Sequence, residues 1–446
     1  MNVVLKTAAL SFAILSTERT IAEDRTEDQK LIVETLIRES EFGSATAVHG
    51  TTAIIGARGE SDSGSAYLFD TGTWKQLFKL TAEDAARDDN FGASVAIHGT
   101  TALVGAPLDD DNGSASGSAY LFDTTTGRQL FKLNPSDGSS SDRFGTSVAL
   151  YGTTAIVGAN LESSAGSTSG AAYVFDTATG QQRFKLTASD AGSGDQFGYA
   201  VALSGTTALV GAWRADLSAG AVYVFEITTG QQLRKLAAED AGPGHRFGDA
   251  LALAGSTAVI GSSYDDTQGS RSGSVYIFDT DAGQQLRKIT PADGSADSYF
   301  GQPVAVTGHH AIIGAVGDTG DGQHFGSAYV YNILTGTQAF KLLPSDPLAG
   351  GLFGNSVAAN ENTVIVGAPG DGDGNSDIGA IYLYDLQLPC NPADLAAPAN
   401  ILDLADLTSF VAGFTEMDLR VDLTGDGLID LADVTAFIAA FIAGCP

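Results

Sequence analysis

The clearest chemical signal in the chain is a run of oxygen-bearing side chains near its end. Residues 422–433 read Asp422-Leu-Thr424-Gly-Asp426-Gly427-Leu428-Ile-Asp430-Leu-Ala-Asp433. A hard divalent cation such as calcium takes oxygen ligands from alternating loop places, with a glycine at the sharp turn. Counted from Asp422, places 1, 3, 5, 9 and 12 hold Asp422, Thr424, Asp426, Asp430 and Asp433. Gly427 takes the turn, and the Leu428 carbonyl serves at the next place. Thr at the third place and Asp at the twelfth depart from the commonest pattern. An acidic helix cap is the competing reading, but six features in register favour calcium. A weaker set is Asp371, Asp373, Asn375 and Asp377, which alternates donors at similar spacing. It lacks the turn glycine and an acidic final place, so calcium and a solvated polar loop both stay open there. Asp109-Asp110-Asp111-Asn112 is weaker again.

No other constellation points to catalysis. The six histidines are His49, His98, His245, His309, His310 and His324. His49 and His98 share one repeat position before a turn, which marks them as structural. No nucleophile elbow, zinc spacing or Walker-type loop occurs. Carboxylates are abundant, so residue type alone leaves a glycosidase pair open. An enzyme, however, would break the repeat in one unit with unusual polar residues, and the units read as regular. The expectation is a non-enzyme with no catalytic residues. The two cysteines, Cys390 and Cys445, bracket the last segment and read as a disulfide clasp.

The elements that position the candidate calcium loop are short. Residues 389–446 carry a duplication offset by 27 residues: Leu402-Asp-Leu-Ala-Asp-Leu-Thr-Ser-Phe410 matches Ile429-Asp-Leu-Ala-Asp-Val-Thr-Ala-Phe437. Leu404, Leu407, Phe410, Val411 and Phe414 fall on one helical face, and Leu431, Val434, Phe437, Ile438 and Phe441 repeat it. Two such helices can pack together, and a clasp suits so small a core. The first copy's loop, after Asp394, lacks carboxylates at places 3 and 5 and is one residue too long. It predicts no strong calcium site.

Ahead of this unit lies a sevenfold repeat. Phe-Gly occurs at Phe42, Phe91, Phe144, Phe197, Phe247, Phe300 and Phe353, at spacings of 49 to 53 residues. Each is followed by a small-residue run, a Gly-centred turn, a Gly-Ala or Gly-Ser pair and a polar loop. An aromatic strand containing Tyr67, Tyr120, Tyr173, Tyr223, Tyr276, Tyr329 or Tyr382 comes next. Four short strands per unit, seven times over, predict a seven-bladed β-propeller. The small-residue strand belongs innermost, where blades converge. The seventh unit lacks the Lys-Leu strand that ends the other six. Lys30-Leu31 lies 11 residues before Phe42, the spacing found in every other unit. The N-terminal strand is therefore predicted to complete the last blade and close the ring, which removes an exposed sheet edge. Asp84, Asp137, Asp190, Asp240, Asp293 and Asp346 recur at each crossing, with Thr35 in their place at the start. Recurrence favours a side chain bonded to its own turn over a ligand ring.

Phe42-Gly43 with Gly105-Ala106-Pro107 and Gly367-Ala368-Pro369 resembles the FG-GAP repeat of integrin α-subunits and of many bacterial exported proteins. The resemblance covers residues 29–388 and implies a propeller that binds or adheres outside the cell. Integrin-type repeats often hold calcium between their first two strands. The turns here, such as Gly99-Thr-Thr101, have no ligand set, so that property does not carry over. The tail is similar to a type I dockerin, through its duplicated loop-helix, the Asp at the twelfth place and the missing entering helix of an EF-hand. That resemblance implies docking on a cohesin-like partner; a surface-anchoring or sorting tag is an equal alternative.

The bulk composition agrees. The formal net charge is −30, with 53 acidic against 23 basic residues, which disfavours nucleic acid and suits calcium. Residues 1–22 read as a signal peptide, with Lys6 ahead of an apolar run, and no other stretch is apolar enough to span a bilayer. The predicted fold class is thus an all-β seven-bladed propeller over residues 29–388, closed by an N-terminal strand. A small all-α, dockerin-like domain follows over residues 389–446. The expected protein is secreted, periplasmic or surface-bound, takes calcium as its cofactor, and binds an extracellular protein or glycan. The alternatives are a dockerin-bearing polysaccharide hydrolase or lyase, or a structural surface-layer component.

Overall fold

The computed structural model describes residues 23–33, 36, 39–319, 325–372, 378–385, 407–411, 414, 423 and 433–438. Seven antiparallel sheets follow one another along the chain. In blade 2 they are the strands Ser94–His98, Thr101–Ala106, Ser118–Asp123 and Gln129–Leu133. The first strand of each blade touches the first strands of both neighbours. Phe42–His49 lies against Ser94–His98 on one side and Ser356–Ala359 on the other, so the ring is closed. Small side chains dominate these strands because bulky ones would collide near the axis.

The recurring words have a steric cause. A Cβ on Gly56 would overlap the carbonyl oxygen of Gly92, and one on Gly367 would overlap that of Gly43. The glycine of Gly-Ala in one blade thus receives the backbone of Phe-Gly in the next, all round the ring. Ser94, Ser147 and Ser356 donate their hydroxyls to the same Phe-Gly carbonyls of Gly145, Gly198 and Gly43, each at 2.8 Å. Each phenylalanine of the pair is buried and meets its blade's tyrosine edge-on. Phe91 and Tyr120 have ring centroids 5.5 Å apart, and Phe300 and Tyr329 5.3 Å.

The closing strand forms as the sequence predicts. Gln29–Leu31 pairs antiparallel with Ala380–Asp385, placing Lys30 opposite Tyr382. The sheet also begins earlier than residue 29. Glu23–Thr26 runs parallel to Gln338–Leu343 and gives blade 6 a fifth strand. It covers the unpaired outer edge of that blade, and Arg25 donates to the Asp385 carbonyl at 2.8 Å. Residues 1–22 lie outside the described residues.

In the C-terminal segment, residues 407–411 and 433–438 are helical. Phe410 and Phe437, equivalent in the duplication, stack with centroids 4.1 Å apart and planes at 20°. The two copies therefore do meet through matching residues. Leu407, Val411 and Ile438 of the expected apolar face are exposed. Cys390, Cys445 and the rest of that unit lie outside the described residues. Among the described residues no helix is long and apolar enough to cross a membrane.

Candidate functional site

The loops after the second strands and the crossings between blades share one face of the wheel, called here the upper face. The recurring aspartates sit there, with partners other than their own turns. Asp84 accepts from the Lys132 ammonium at 2.6 Å, and Lys132 also meets Asp109 at 3.0 Å and Asp111. Tyr120 donates its hydroxyl to Asp109 at 2.8 Å. The same clasp joins Asp137 to Lys185 at 2.5 Å and Tyr173, Asp240 to Lys288 at 2.5 Å and Tyr276, and Asp293 to Lys341 and Tyr329. Each clasp links a crossing to the outer strand and loop of the next blade. The structural reading of the aspartates holds, but they bind blades together rather than capping their own turns.

Burial alone would raise Asp265, but the Thr267 hydroxyl and amide and the Lys288 ammonium hold its carboxyl down at about 2. Burial also opposes the charge on Lys132, yet Asp111, Asp84, Tyr120 and Asp109 together raise it above the usual lysine range. Burial and its bonds to carboxylates push the Tyr276 hydroxyl well above the ordinary tyrosine range. Each of these groups is held in one protonation state around neutral pH.

The calcium candidates divide accordingly. Asp84, Asp109 and Asp111 bring three carboxylates close enough for one cation, but the Lys132 ammonium lies among them. Asp371 is buried and receives Lys30 at 2.8 Å and the Tyr382 hydroxyl, so it takes the place in blade 7 that Asp109 has in blade 2. Asp373, Asn375 and Asp377 lie outside the described residues. In the tail, Asp433 is buried at the head of its helical stretch, whereas Asp422, Thr424, Asp426, Leu428 and Asp430 lie outside the described residues. His49 and His98 are structural, as expected. Their Nδ1 atoms accept from the Gly99 and Gly152 amides at 3.2 Å, on the opposite face.

One sector of the upper face departs from the repeat, contrary to the expected regularity. The residue before each Phe-Gly adopts a positive φ: Glu41, Asn90, Arg143, Gln196, Arg246, Tyr299 and Leu352 lie between 53° and 62°. These seven positions lead into the innermost strands, and their chemistry differs from blade to blade. On blades 4 to 6 they and their neighbours build an arc of rings and guanidinium groups. Tyr199 meets Trp213 edge-on at 5.6 Å. The Arg246 guanidinium lies 4.3 Å from the Trp213 centroid and 3.4 Å from that of Tyr264. Tyr264 leans on Tyr299 at 5.4 Å, and Arg214 lies 5.3 Å from Trp213.

Asp249, 7% exposed, stands under this arc. Its Oδ2 takes the amide and hydroxyl of Ser263, while its Oδ1 has no hydrogen-bond partner among the described residues. Burial pushes its carboxyl up to about 7, against the Ser263 bonds and the Arg246 charge. The sequence reading missed this sector. Its signal lay in the columns that flank the repeated words and vary from unit to unit, where Tyr199, Trp213, Arg246, Asp249, Tyr264 and Tyr299 fall.

The family profile described as FG-GAP repeat matches residues 26–69, 74–122, 128–175, 181–225, 231–278, 284–331 and 337–384. No curated protein matches the chain.

Proposed function

We infer that this chain, which belongs to the FG-GAP repeat family, is a non-catalytic binding or adhesion propeller exported from the cytoplasm. It presents its ligand surface on the upper face and is tethered or docked through a calcium-binding, dockerin-like tail. The observation that carries the binding role is the concentration of unlike residues in one upper-face sector over an otherwise repeating scaffold. Loops on a rigid frame are where recognition residues collect. The pairing of Phe410 with Phe437 supports a duplicated tail, and the ligand set Asp422, Thr424, Asp426, Leu428, Asp430 and Asp433 supports calcium there. Cys390 and Cys445 would staple its ends.

A screen of glycans and extracellular proteins on the full chain, run beside a polysaccharide-turnover assay, tests the reading. Binding without turnover is expected. Turnover abolished by one carboxylate substitution would replace it with the enzyme reading.

A further inference from the structure

Every lysine of the blade clasps is paired with carboxylates, and exposed arginines such as Arg58, Arg87 and Arg271 are paired too. With a formal net charge of −30, an acid lies within reach of almost any cation. Lys75, Arg128, Arg143, Arg214 and Arg246 have no ion pair among the described residues, and of these Arg246 and Arg214 are set apart by an aromatic seat. Both stack on Trp213, and neither guanidinium has a hydrogen-bond or ion-pair partner among the described residues. Arg246 is held between two rings, which shields its faces and leaves its N–H edge to act. A guanidinium so fixed is suited to a carboxylate, which it can grip through two parallel bonds. Beside it lies the unpartnered Oδ1 of Asp249, a group suited to a hydroxyl rather than to a second anion.

We propose that the arc of Tyr199, Trp213, Arg246 and Tyr264, with Asp249 beneath it, is a binding site for acidic sugars of the uronate class. The sugar carboxylate would engage Arg246, supported by Arg214. A ring hydroxyl would meet Asp249, and the apolar ring face would lie along the aromatic side chains. An oligoglutamate satisfies the arginine but offers Asp249 no hydroxyl and the aromatic side chains no pyranose ring face, which favours the sugar. The proposal rests on the binding reading above and assigns that reading its ligand class.

Trp213 supplies the readout. The chain has two tryptophans, so the variant Trp74→Phe leaves Trp213 as sole indole reporter. Its fluorescence in the full chain is titrated with oligogalacturonate, with a neutral oligosaccharide of equal length, and with an oligoglutamate peptide, all in chelator. A saturable change with oligogalacturonate is expected, with affinity lowered roughly tenfold or more by Arg246→Met. Arg246→Lys keeps the charge and loses the fork, and should fall between. Asp249→Asn should also weaken binding, with circular dichroism confirming that each variant is folded. An equal response to the neutral sugar or to the peptide overturns the proposal, as does no response to any of the three. If the screen finds another ligand whose affinity Arg246→Met leaves unchanged, the uronate site fails and the binding propeller stands. If nothing binds at all, both fail.

Discussion

At the scale of single residues, the clasp lysines show how exposure sets the worth of an ion pair. Lys132 is mostly covered and its partner Asp109 is almost fully buried, so Lys132→Met strands a carboxylate away from water. A loss of about 3 kcal/mol is expected in chemical denaturation. Lys235 faces Asp216 and Asp190, which are 62% and 49% exposed, and Lys235→Met should cost about 1 kcal/mol or less. Equal losses would mean that the clasp acts through packing rather than charge.

Asp249 carries the opposite sign. Its folded value of about 7 lies above the unfolded reference of 3.8, so the folded state holds its proton over that window. Stability therefore falls as pH rises from about 4 to about 7 and the penalty is complete above. Asp249→Asn should be neutral near pH 4 and stabilising by on the order of a few kcal/mol at pH 8, read from thermal melts at both. A buried carboxylate kept at such a cost fits the binding role proposed for this sector.

At the scale of elements, the N-terminal segment does two jobs within nine residues. Glu23–Thr26 covers the edge of blade 6, and Gln29–Leu31 completes blade 7, where Lys30 supplies the ammonium that Asp346 and Asp371 require. Removing residues 23–31 would leave Asp371 buried without its cation and two strand edges open. The truncated chain should melt several degrees lower and be cleaved first within residues 356–385; an unchanged melt would show that the ring holds without its closing strand. In the tail, Asp426→Ala should abolish calcium binding assigned to residues 422–433, measured by calorimetry on the full chain. Unaltered binding would place the metal elsewhere.

At the scale of the whole molecule, the charge of −30 acts as self-repulsion spread over the whole chain. Added monovalent salt should raise the melting temperature through screening alone. Calcium specificity therefore shows only as stabilisation beyond that given by sodium and magnesium at matched ionic strength. The ring also explains why so many small residues make a stable body: each blade buries its tyrosine and phenylalanine layer against the next, and closure leaves no terminal blade unpaired.

The sequence by itself determined the blade number, the strand order and the closure. Those depend on words repeated in register, and a missing Lys-Leu strand has one place from which it can be supplied. The stack of Phe410 on Phe437 was legible for the same reason, since the two are duplicates. The partners of the recurring aspartates were decided only by the tertiary structure: Asp84 and Lys132 are 48 residues apart, and strand pairing brings them together. The fifth strand of blade 6 was hidden because parallel edge pairing leaves no hydrophobic alternation in four polar residues. The aromatic and arginine arc was hidden most deeply. Its members come from three blades and sit in columns that the repeat leaves free, so no stretch of sequence contains the site. Only the curvature of the closed wheel sets Tyr199, Trp213, Arg246, Asp249, Tyr264 and Tyr299 side by side.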